Sequence, residues 1–135
     1  MIYLLDTNIL SAVINNDVTV LGKINTAFAE GHQLGISAIT YFEIRRGLER
    51  PKHTVKDERF ERWVAQLMVF DLELSTLDTA ARIWQQLRAK GNLLEDADCL
   101  IAATALRQGA VLVTDNTKHF ARVPHLSLEN WIERS

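Results

Sequence analysis

Four acidic residues that lie far apart in the chain have the types needed for metal-assisted chemistry: Asp6, Glu43, Asp98 and Asp115. Carboxylates brought together repel one another, and their pKa values rise unless a cation lies among them. Because the set contains no His or Cys, its ligand atoms would all be hard oxygens, which suit Mg²⁺ or Mn²⁺. We therefore expect a site for Mg²⁺, with Mn²⁺ as a substitute, that activates water for attack on a phosphate ester.

Short strands that alternate with helices must position these acids. Apolar runs predict strands at residues 2–5, 34–37, 69–72, 110–114 and 126–128. Between them, apolar residues recur at helical spacing, as in 60–67, 77–87 and 100–107. This alternation predicts an α/β fold, with one domain over residues 1–135 and a mostly parallel central sheet of four or five strands flanked by helices.

Punctuating residues predict where several helices end. Gly91 and Gly109 each follow a helical segment as a C-terminal stop, and Pro51 is predicted to end the helix that carries Glu43. At the start of the apolar helix near residue 100, we assign the cap to Asp96, which leaves Asp98 for the site.

The predicted elements place all four acids at one rim of the sheet. Asp6 and Asp115 directly follow strands, Glu43 lies about two turns into the helix after the second strand, and Asp98 opens the apolar helix. Ligands of open α/β sheets bind beyond the carboxyl ends of the strands. Each acid taken alone has a structural explanation as a cap, turn or surface residue. Four such residues at the same rim favour a functional site.

Composition excludes several other classes of protein. The chain has 135 residues, a net charge of -2 and a single cysteine, Cys99. One cysteine forms neither an internal disulfide framework nor a thiolate zinc site. The longest apolar runs are about four or five residues, whereas a membrane span needs about 20. With no secretory signal evident either, we expect a soluble cytoplasmic protein without membrane contact.

Two sets of residues each have two possible interpretations. Residues 45–62 carry seven basic side chains among acidic ones, and form either a solvated helix surface or a patch that faces phosphates. The apolar residues of the early helices either belong to the core or line a groove for a partner helix. They are Leu10, Val13, Ile14, Val20, Leu21 and Ile24.

Four motifs occur in a recognisable order: LLDTNIL at 4–10, TYFEI at 40–44 followed by Gly47, DCLIAA at 98–103, and LVTDN at 112–116 with Phe120. In this order they resemble PIN-domain ribonucleases and, more closely, the VapC toxins of bacterial type II toxin–antitoxin modules. The resemblance covers nearly the whole chain, and Trp131 is also in the usual place.

The resemblance implies an endoribonuclease that depends on Mg²⁺ or Mn²⁺ and cuts structured RNA, often tRNA. It also implies a homodimer that is inhibited by a small antitoxin, which itself binds DNA. Asp6 and Asp98 would be the principal metal ligands, and Glu43 would complete the metal site or position the water. Thr7 and Asn8 would serve the site indirectly, by hydrogen bonds to Asp6 or the turn around it.

The fourth position has two candidates. Many relatives place an acid or Asn two residues after the Thr that matches Thr114, which here is Asn116. The adjacent Asp115 carries a charge, and on that ground we expect Asp115 to be the fourth ligand. The basic residues Arg45, Arg46, Arg50 and Lys52, downstream of Glu43, would hold the RNA backbone.

Three rival interpretations fit these residues less well. Phosphatases of the haloacid dehalogenase type need a second Asp two residues after the first, and that position is Asn8. A receiver domain needs an acidic pair near the first strand and a Lys after the last core strand. Here Asp6 stands alone, and Lys118 lies in a turn region. The third rival is a catalytically weak PIN-like module that binds RNA without cutting it.

Overall fold

The structure is a computed structural model that describes residues 1–48 and 54–134. Across these residues, five parallel strands form one sheet with the order β3-β2-β1-β4-β5. The strands are β1 (Ile2–Leu5), β2 (Gln33–Ser37), β3 (Met68–Phe70), β4 (Val111–Val113) and β5 (Ser127–Glu129). The predicted α/β class and parallel sheet are confirmed, and the predicted strand ends are within two residues of the observed ones.

Seven helices in the described residues flank the sheet. They are α1 (Thr7–Ile14), α2 (Val18–Ala29), α3 (Ala38–Gly47), α4 (Val55–Val64), α5 (Leu74–Ala89), α6 (Asp96–Gln108) and α7 (Thr117–Phe120). None of them is both long and apolar enough to cross a membrane. The helices follow the strands as parallel crossovers require.

The central strand β1 buries side chains on both faces of the sheet. Leu5 packs in an apolar core with residues of α1, α2 and α4, whereas Leu4 packs in a second core with α5, α6 and α7. Both leucines are completely buried. A strand that is apolar on both faces is typical of a parallel sheet covered by helices on each side, which explains the unbroken apolar run.

The apolar residues of α1 and α2 belong to the core. Leu10, Val13, Val20 and Ile24 are fully buried, and Leu21 packs against the same core from the partly exposed side. The interpretation that these residues belong to the core is therefore confirmed, and of the six only Ile14 also lines a surface cavity among those of the described residues.

Two of the predicted helix ends are confirmed and two details are wrong. Gly91 and Gly109 follow α5 and α6 with positive φ angles of 72° and 61°. The prediction that Pro51 ends the Glu43 helix is wrong, because α3 ends at Gly47 and Pro51 lies outside the described residues. The cap of α6 is Glu95, and the predicted cap, Asp96, is the first helical residue.

The strand order also excludes the interpretation of the chain as a receiver domain. The chain runs outward from β1 through β2 to β3, and then returns to the other side of β1 for β4 and β5. Receiver domains have the order 2-1-3-4-5, so this is not a receiver. The order reverses between β1 and β4, and open α/β sheets bind ligands in the crevice at such a point.

Candidate active site

Asp6 lies at the point where the strand order reverses. It follows β1 directly, and its backbone N–H donates to the carbonyl oxygen of Val113 in β4 at 2.9 Å. Its side chain is 4% exposed. Oδ1 accepts a hydrogen bond from the Thr7 N–H at 2.7 Å, and Oδ2 accepts one from the Thr114 hydroxyl at 2.7 Å. Asp6 thus caps α1 and is also held rigidly at the rim of the sheet.

Burial sets the protonation behaviour of this carboxyl group. Desolvation raises the pKa of Asp6, the two hydrogen bonds lower it in part, and the charge of Glu43 raises it further. The charge of Glu43 is the smallest of these four effects.

Thr7 links Asp6 to Glu43. Its hydroxyl donates to Oε1 of Glu43 at 2.6 Å and lies 3.1 Å from the hydroxyl of Thr40 on α3. Its backbone N–H caps Asp6, so one residue orients two carboxylates from different elements. The expectation that Thr7 serves the site through hydrogen bonds agrees with these contacts.

Asp98 lies in the first turn of α6, and its carboxyl group is influenced by the charges of the other two acids. Burial raises its pKa to about 6, with further contributions from the charges of Asp6, Glu95 and Glu43 and a small opposing effect of His119. A carboxyl group titrating near pH 6 is characteristic of a desolvated acid among other acids. Asp98 therefore lies within electrostatic range of Asp6 and Glu43, which belong to two other elements.

The structure does not bring Asp115 into this group. Its carboxylate accepts hydrogen bonds from the guanidinium of Arg134 and from the side-chain amide of Asn130, at 3.1 Å for the amide. These contacts, mainly the one with Arg134, lower the pKa of Asp115. Trp131, which is buried with its ring 5.2 Å from that of Tyr3, anchors the C-terminal segment that carries Arg134.

Asn116 lies on the other side of the same turn and lines a cleft of about 460 Å³ together with Asp98. Its backbone N–H donates to the Thr114 hydroxyl at 3.0 Å. Of the two candidates for the fourth position, Asn116 is thus the one that shares a cavity with Asp98.

Asp96 is separated from this cleft. It lines a different cavity, of about 400 Å³, between α5 and α6 with Leu77, Trp84 and Leu100. Asp96 and Asp98 are two positions apart on one helix and point to different cavities. The structure therefore gives Asp96 no place beside Asp98 in the candidate site.

Two residues not predicted as direct members of the site support it. Thr114 donates to Asp6, and Asn8 Oδ1 accepts from the backbone N–H of Asp115 at 3.3 Å. Thr114 follows β4 as Asp6 follows β1. That shared position at the ends of adjacent strands is the sequence signal that points to Thr114.

The donor set fits a hard divalent cation. Asp6, Glu43 and Asp98 offer only carboxylate oxygens, the ligands that Mg²⁺ and Mn²⁺ prefer. In residues 1–48 and 54–134, no group of three His, Cys, Asp or Glu side chains is already arranged to hold a metal ion.

The basic residues near Glu43 differ in their surroundings. The Arg45 guanidinium lies 4.9 Å from the centre of the Phe60 ring and donates to the Tyr41 hydroxyl at 3.1 Å. The Arg46 guanidinium lies over the exposed ring of Phe42 at 5.2 Å. Arg50 and Lys52, which were also predicted to hold RNA, lie outside the described residues.

Comparison with known protein families gives a consistent result. The PIN domain family matches residues 3–126. Ribonuclease VapC2 of Rickettsia felis is 32% identical, in an alignment that covers 97% of this chain and 98% of the relative. The tRNA(fMet)-specific endonuclease VapC of Shigella flexneri is 28% identical, over 96% and 97% of the two chains.

A solved structure has the same architecture. It is the crystal structure of VapBC2 from Rickettsia felis bound to a DNA fragment from their promoter, with a TM-score of 0.89 and 30% sequence identity. The match covers 98% of this chain and all of the other. The similarity therefore extends over the complete sheet and the helices that carry Asp6, Glu43 and Asp98.

Proposed function

The chain belongs to the PIN domain family and, within it, to the VapC ribonucleases, and we propose that it is an endoribonuclease toxin that hydrolyses phosphodiester bonds in structured RNA with a divalent cation. One observation carries the proposal: Thr7 hydrogen-bonds both Asp6 and Glu43 where the strand order reverses, and Asp98 lies within electrostatic range of both carboxylates. In the described residues, no Lys, Arg or His forms a salt bridge with any of the three.

Asp6, Glu43 and Asp98 would hold the cation, which is Mg²⁺ with Mn²⁺ as a substitute. When bound, such an ion stabilises negative charge on phosphoryl oxygens and makes nearby water more acidic. A set of three anions in which two, Asp6 and Asp98, have raised pKa values gains most from a divalent charge, because the ion removes both the repulsion and the tendency to protonate.

The protein's own contribution is to fix the carboxylates before the substrate binds. Thr7 and Thr114 hold the two oxygens of Asp6 in place, and Thr7 also holds Glu43. Groups that orient metal ligands in this way reduce the reorganisation needed during the reaction. We assign the fourth position to Asn116, because it shares the cleft with Asp98 while Asp115 is neutralised by Arg134.

Relatives support the substrate and the partners that we propose. The Shigella flexneri relative is named a tRNA(fMet)-specific endonuclease, which supports tRNA as the substrate class. The Rickettsia felis structure contains a VapBC pair on promoter DNA, which supports inhibition by a small DNA-binding antitoxin. We further propose that the toxin acts in the cytoplasm, where tRNA is found, and that it forms a homodimer.

Incubation of the purified chain with a tRNA pool tests the proposal. We expect discrete cleavage products with Mg²⁺ or Mn²⁺, and no products with a chelator or in the variant Asp6→Asn. Asp78→Asn is the matched control, because Asp78 is an exposed acid on α5 and should leave cleavage unchanged. Cleavage that persists in the chelator contradicts the proposal, and tRNA binding without cleavage supports the non-catalytic RNA-binding module instead.

A further inference from the structure

The cleft beside Asp98 contains side chains that the proposed hydrolysis does not use. Its volume of about 460 Å³ falls within the range of small-ligand sites, roughly 300–1,000 Å³. It is lined by Leu93, Leu94, Glu95, Asp98, Asn116 and His119. The cleft thus adjoins the carboxylate group but has an apolar side, an aromatic ring and an additional acceptor.

The loop that forms the apolar side is fixed at both ends. Gly91 takes a positive φ angle of 72°, and the N–H of Asn92 donates to the carbonyl oxygen of Leu87 at 2.8 Å. The Arg122 guanidinium, beyond α7, donates to the carbonyl oxygen of Leu93 at 3.3 Å. Leu93 itself is 49% exposed, although it is apolar. A leucine held at the mouth of a cleft offers a surface for a flat ligand.

The side chain at the N-cap of a helix normally accepts a hydrogen bond from a backbone N–H of the first turn, but the side chain of Glu95 does not. Glu95 is the N-cap residue of α6. Its side chain lines the cleft and is exposed. A carboxylate that does not cap the helix is available as a pure hydrogen-bond acceptor with two oxygens.

The charge of the cleft selects the part of an RNA that can enter it. Asp98 is assigned to the proposed cation, so Glu95 is the acidic side chain of the cleft whose charge is left without a partner, and it would repel a phosphate group placed beside it. A base that presents N–H donors would be attracted, and unpaired RNA bases are commonly held by stacking on aromatic side chains and by hydrogen bonds to their edges. The ring of His119 and the side chain of Leu93 supply such faces.

We propose that this cleft is a subsite for an unpaired guanine next to the scissile phosphate, with Glu95 accepting from its N1–H and its 2-amino group. Guanine is the one standard base whose Watson–Crick edge has two adjacent N–H donors, which match the two oxygens of a carboxylate. The inference rests on the proposed ribonuclease function, and it adds a sequence preference to it.

Binding of short single-stranded RNAs in a chelator tests the subsite without requiring cleavage. Two fluorescent oligonucleotides of the same sequence carry either guanosine or inosine, which lacks the 2-amino group. For the unmodified protein, we expect the inosine RNA to bind about tenfold more weakly, as the loss of one hydrogen bond to a charged group predicts. In Glu95→Gln this difference should fall to less than about twofold.

Glu73→Gln is the matched control variant. Glu73 is the N-cap of α5, also makes no side-chain cap hydrogen bond, and is not part of the cleft. This variant should keep the full preference for guanosine. Equal binding of the two RNAs by the unmodified protein overturns the subsite, and so does an equal loss of preference in both variants.

Cleavage mapping and metal titration separate failure of the subsite from failure of the proposed function. Mapped RNA ends should show guanine enriched at one position beside the cut, and Glu95→Gln should lose that enrichment. Cleavage with no enrichment overturns the subsite alone, whereas guanosine preference in binding without any cleavage overturns the nuclease function alone. Mn²⁺ affinity, measured by calorimetry, should fall no more than a few-fold in Glu95→Gln, because the Glu95 charge acts on Asp98 without being a ligand; a loss as large as that in Asp98→Asn would make Glu95 a metal ligand and overturn the proposal.

Discussion

Two carboxyl groups, those of Asp98 and Asp115, have opposite electrostatic surroundings in this molecule. Asp98 is partly buried among Asp6, Glu43 and Glu95, and its pKa is raised to about 6. Asp115 contacts the guanidinium of Arg134, and its pKa is lowered. Asp115 is therefore neutralised by an arginine of the same chain, whereas Asp98 lies among like charges.

The difference indicates which acid has a functional role. Holding an acid among other acids lowers the stability of the native state, and such arrangements persist where a ligand relieves the repulsion. An acid that is already paired with an arginine has less affinity left for a metal ion. The comparison therefore supports Asp98 rather than Asp115 as a ligand of the proposed cation, and Asp115 pairs with Arg134 of the C-terminal segment.

The largest expected effect is on catalysis. Asp98→Asn should lower the rate of RNA cleavage by about a thousandfold or more, because it removes a ligand charge from the proposed cation. Asp115→Asn should stay within about threefold of the unmodified rate, since its carboxylate faces Arg134. Initial rates with a labelled tRNA in saturating Mg²⁺ measure both variants. A comparable loss in Asp115→Asn would show that this residue leaves Arg134 when metal binds.

Most of the fold followed from the sequence because its signals are local. The unbroken apolar run before Asp6 and the helical spacing in 77–87 depend on near neighbours in the chain. The positions of Asp6 and Glu43 near strand ends follow from the same pattern. Helix ends were harder to predict, as at Pro51 and Asp96, because a cap depends on the backbone angles of one or two residues.

The direction in which Asp115 points could not be predicted from local sequence. Asp115 and Asn116 occupy the same turn, and the choice between them depends on Arg134, which approaches through a separate segment anchored by Trp131. A contact across 19 residues that depends on tertiary packing leaves no periodic signal in the chain. The preference for Asp115 on the basis of its charge overlooked an internal cation as its partner.

The second prediction concerns the hydroxyl that holds Asp6. Thr114→Val keeps the shape of the side chain but removes the donor to Oδ2 of Asp6. We expect the affinity for Mn²⁺ and the cleavage rate to fall about 10- to 100-fold, as is typical when a group that orients a metal ligand is lost. Thr114→Ser keeps the hydroxyl and should restore most of the activity.

Thr79→Val is the control for this change. Its hydroxyl donates to the carbonyl oxygen of Ser75 within α5 and has no contact with the site. Calorimetric titration with Mn²⁺ and tRNA cleavage should be unaffected in this variant. Equal behaviour of Thr114→Val and Thr79→Val would mean that Asp6 keeps its orientation without the hydroxyl.

The third prediction is a gain in stability where activity is lost. In a chelator at pH 7.5, Asp98→Asn should raise the free energy of unfolding by about 1–2 kcal/mol, because it removes a desolvated charge from an acidic group. Since the pKa of Asp98 is higher in the folded state, about 6, than in the unfolded chain, about 3.9, the native state binds the proton more tightly. The loss of folding stability caused by the ionised Asp98 carboxylate therefore declines as the pH falls from above 6 to about 4.

Urea unfolding at several pH values measures this effect. The stability difference between Asp98→Asn and the unmodified chain should shrink as the pH falls through 6, which is the sign expected for a raised pKa. Asp115→Asn should behave in the opposite way and lose a small amount of stability, mainly above pH 4, because its lowered pKa reflects a favourable contact. A loss of stability in Asp98→Asn at pH 7.5 would contradict the inference that the charge of Asp98 destabilises the native state.

The smallest expected effect extends the comparison from acids to bases. Arg45 is engaged by Tyr41 and lies near Glu61, whereas Arg46 is exposed beside the Phe42 ring. If RNA phosphates contact Arg46, then Arg46→Ala should weaken tRNA binding a few-fold and reduce the slope of log affinity against log salt by about one. Arg45→Ala should leave the slope unchanged. Binding by fluorescence anisotropy between 50 and 200 mM salt, about the range in which such slopes are resolved, measures both, and equal slopes for the two variants would place the RNA backbone elsewhere.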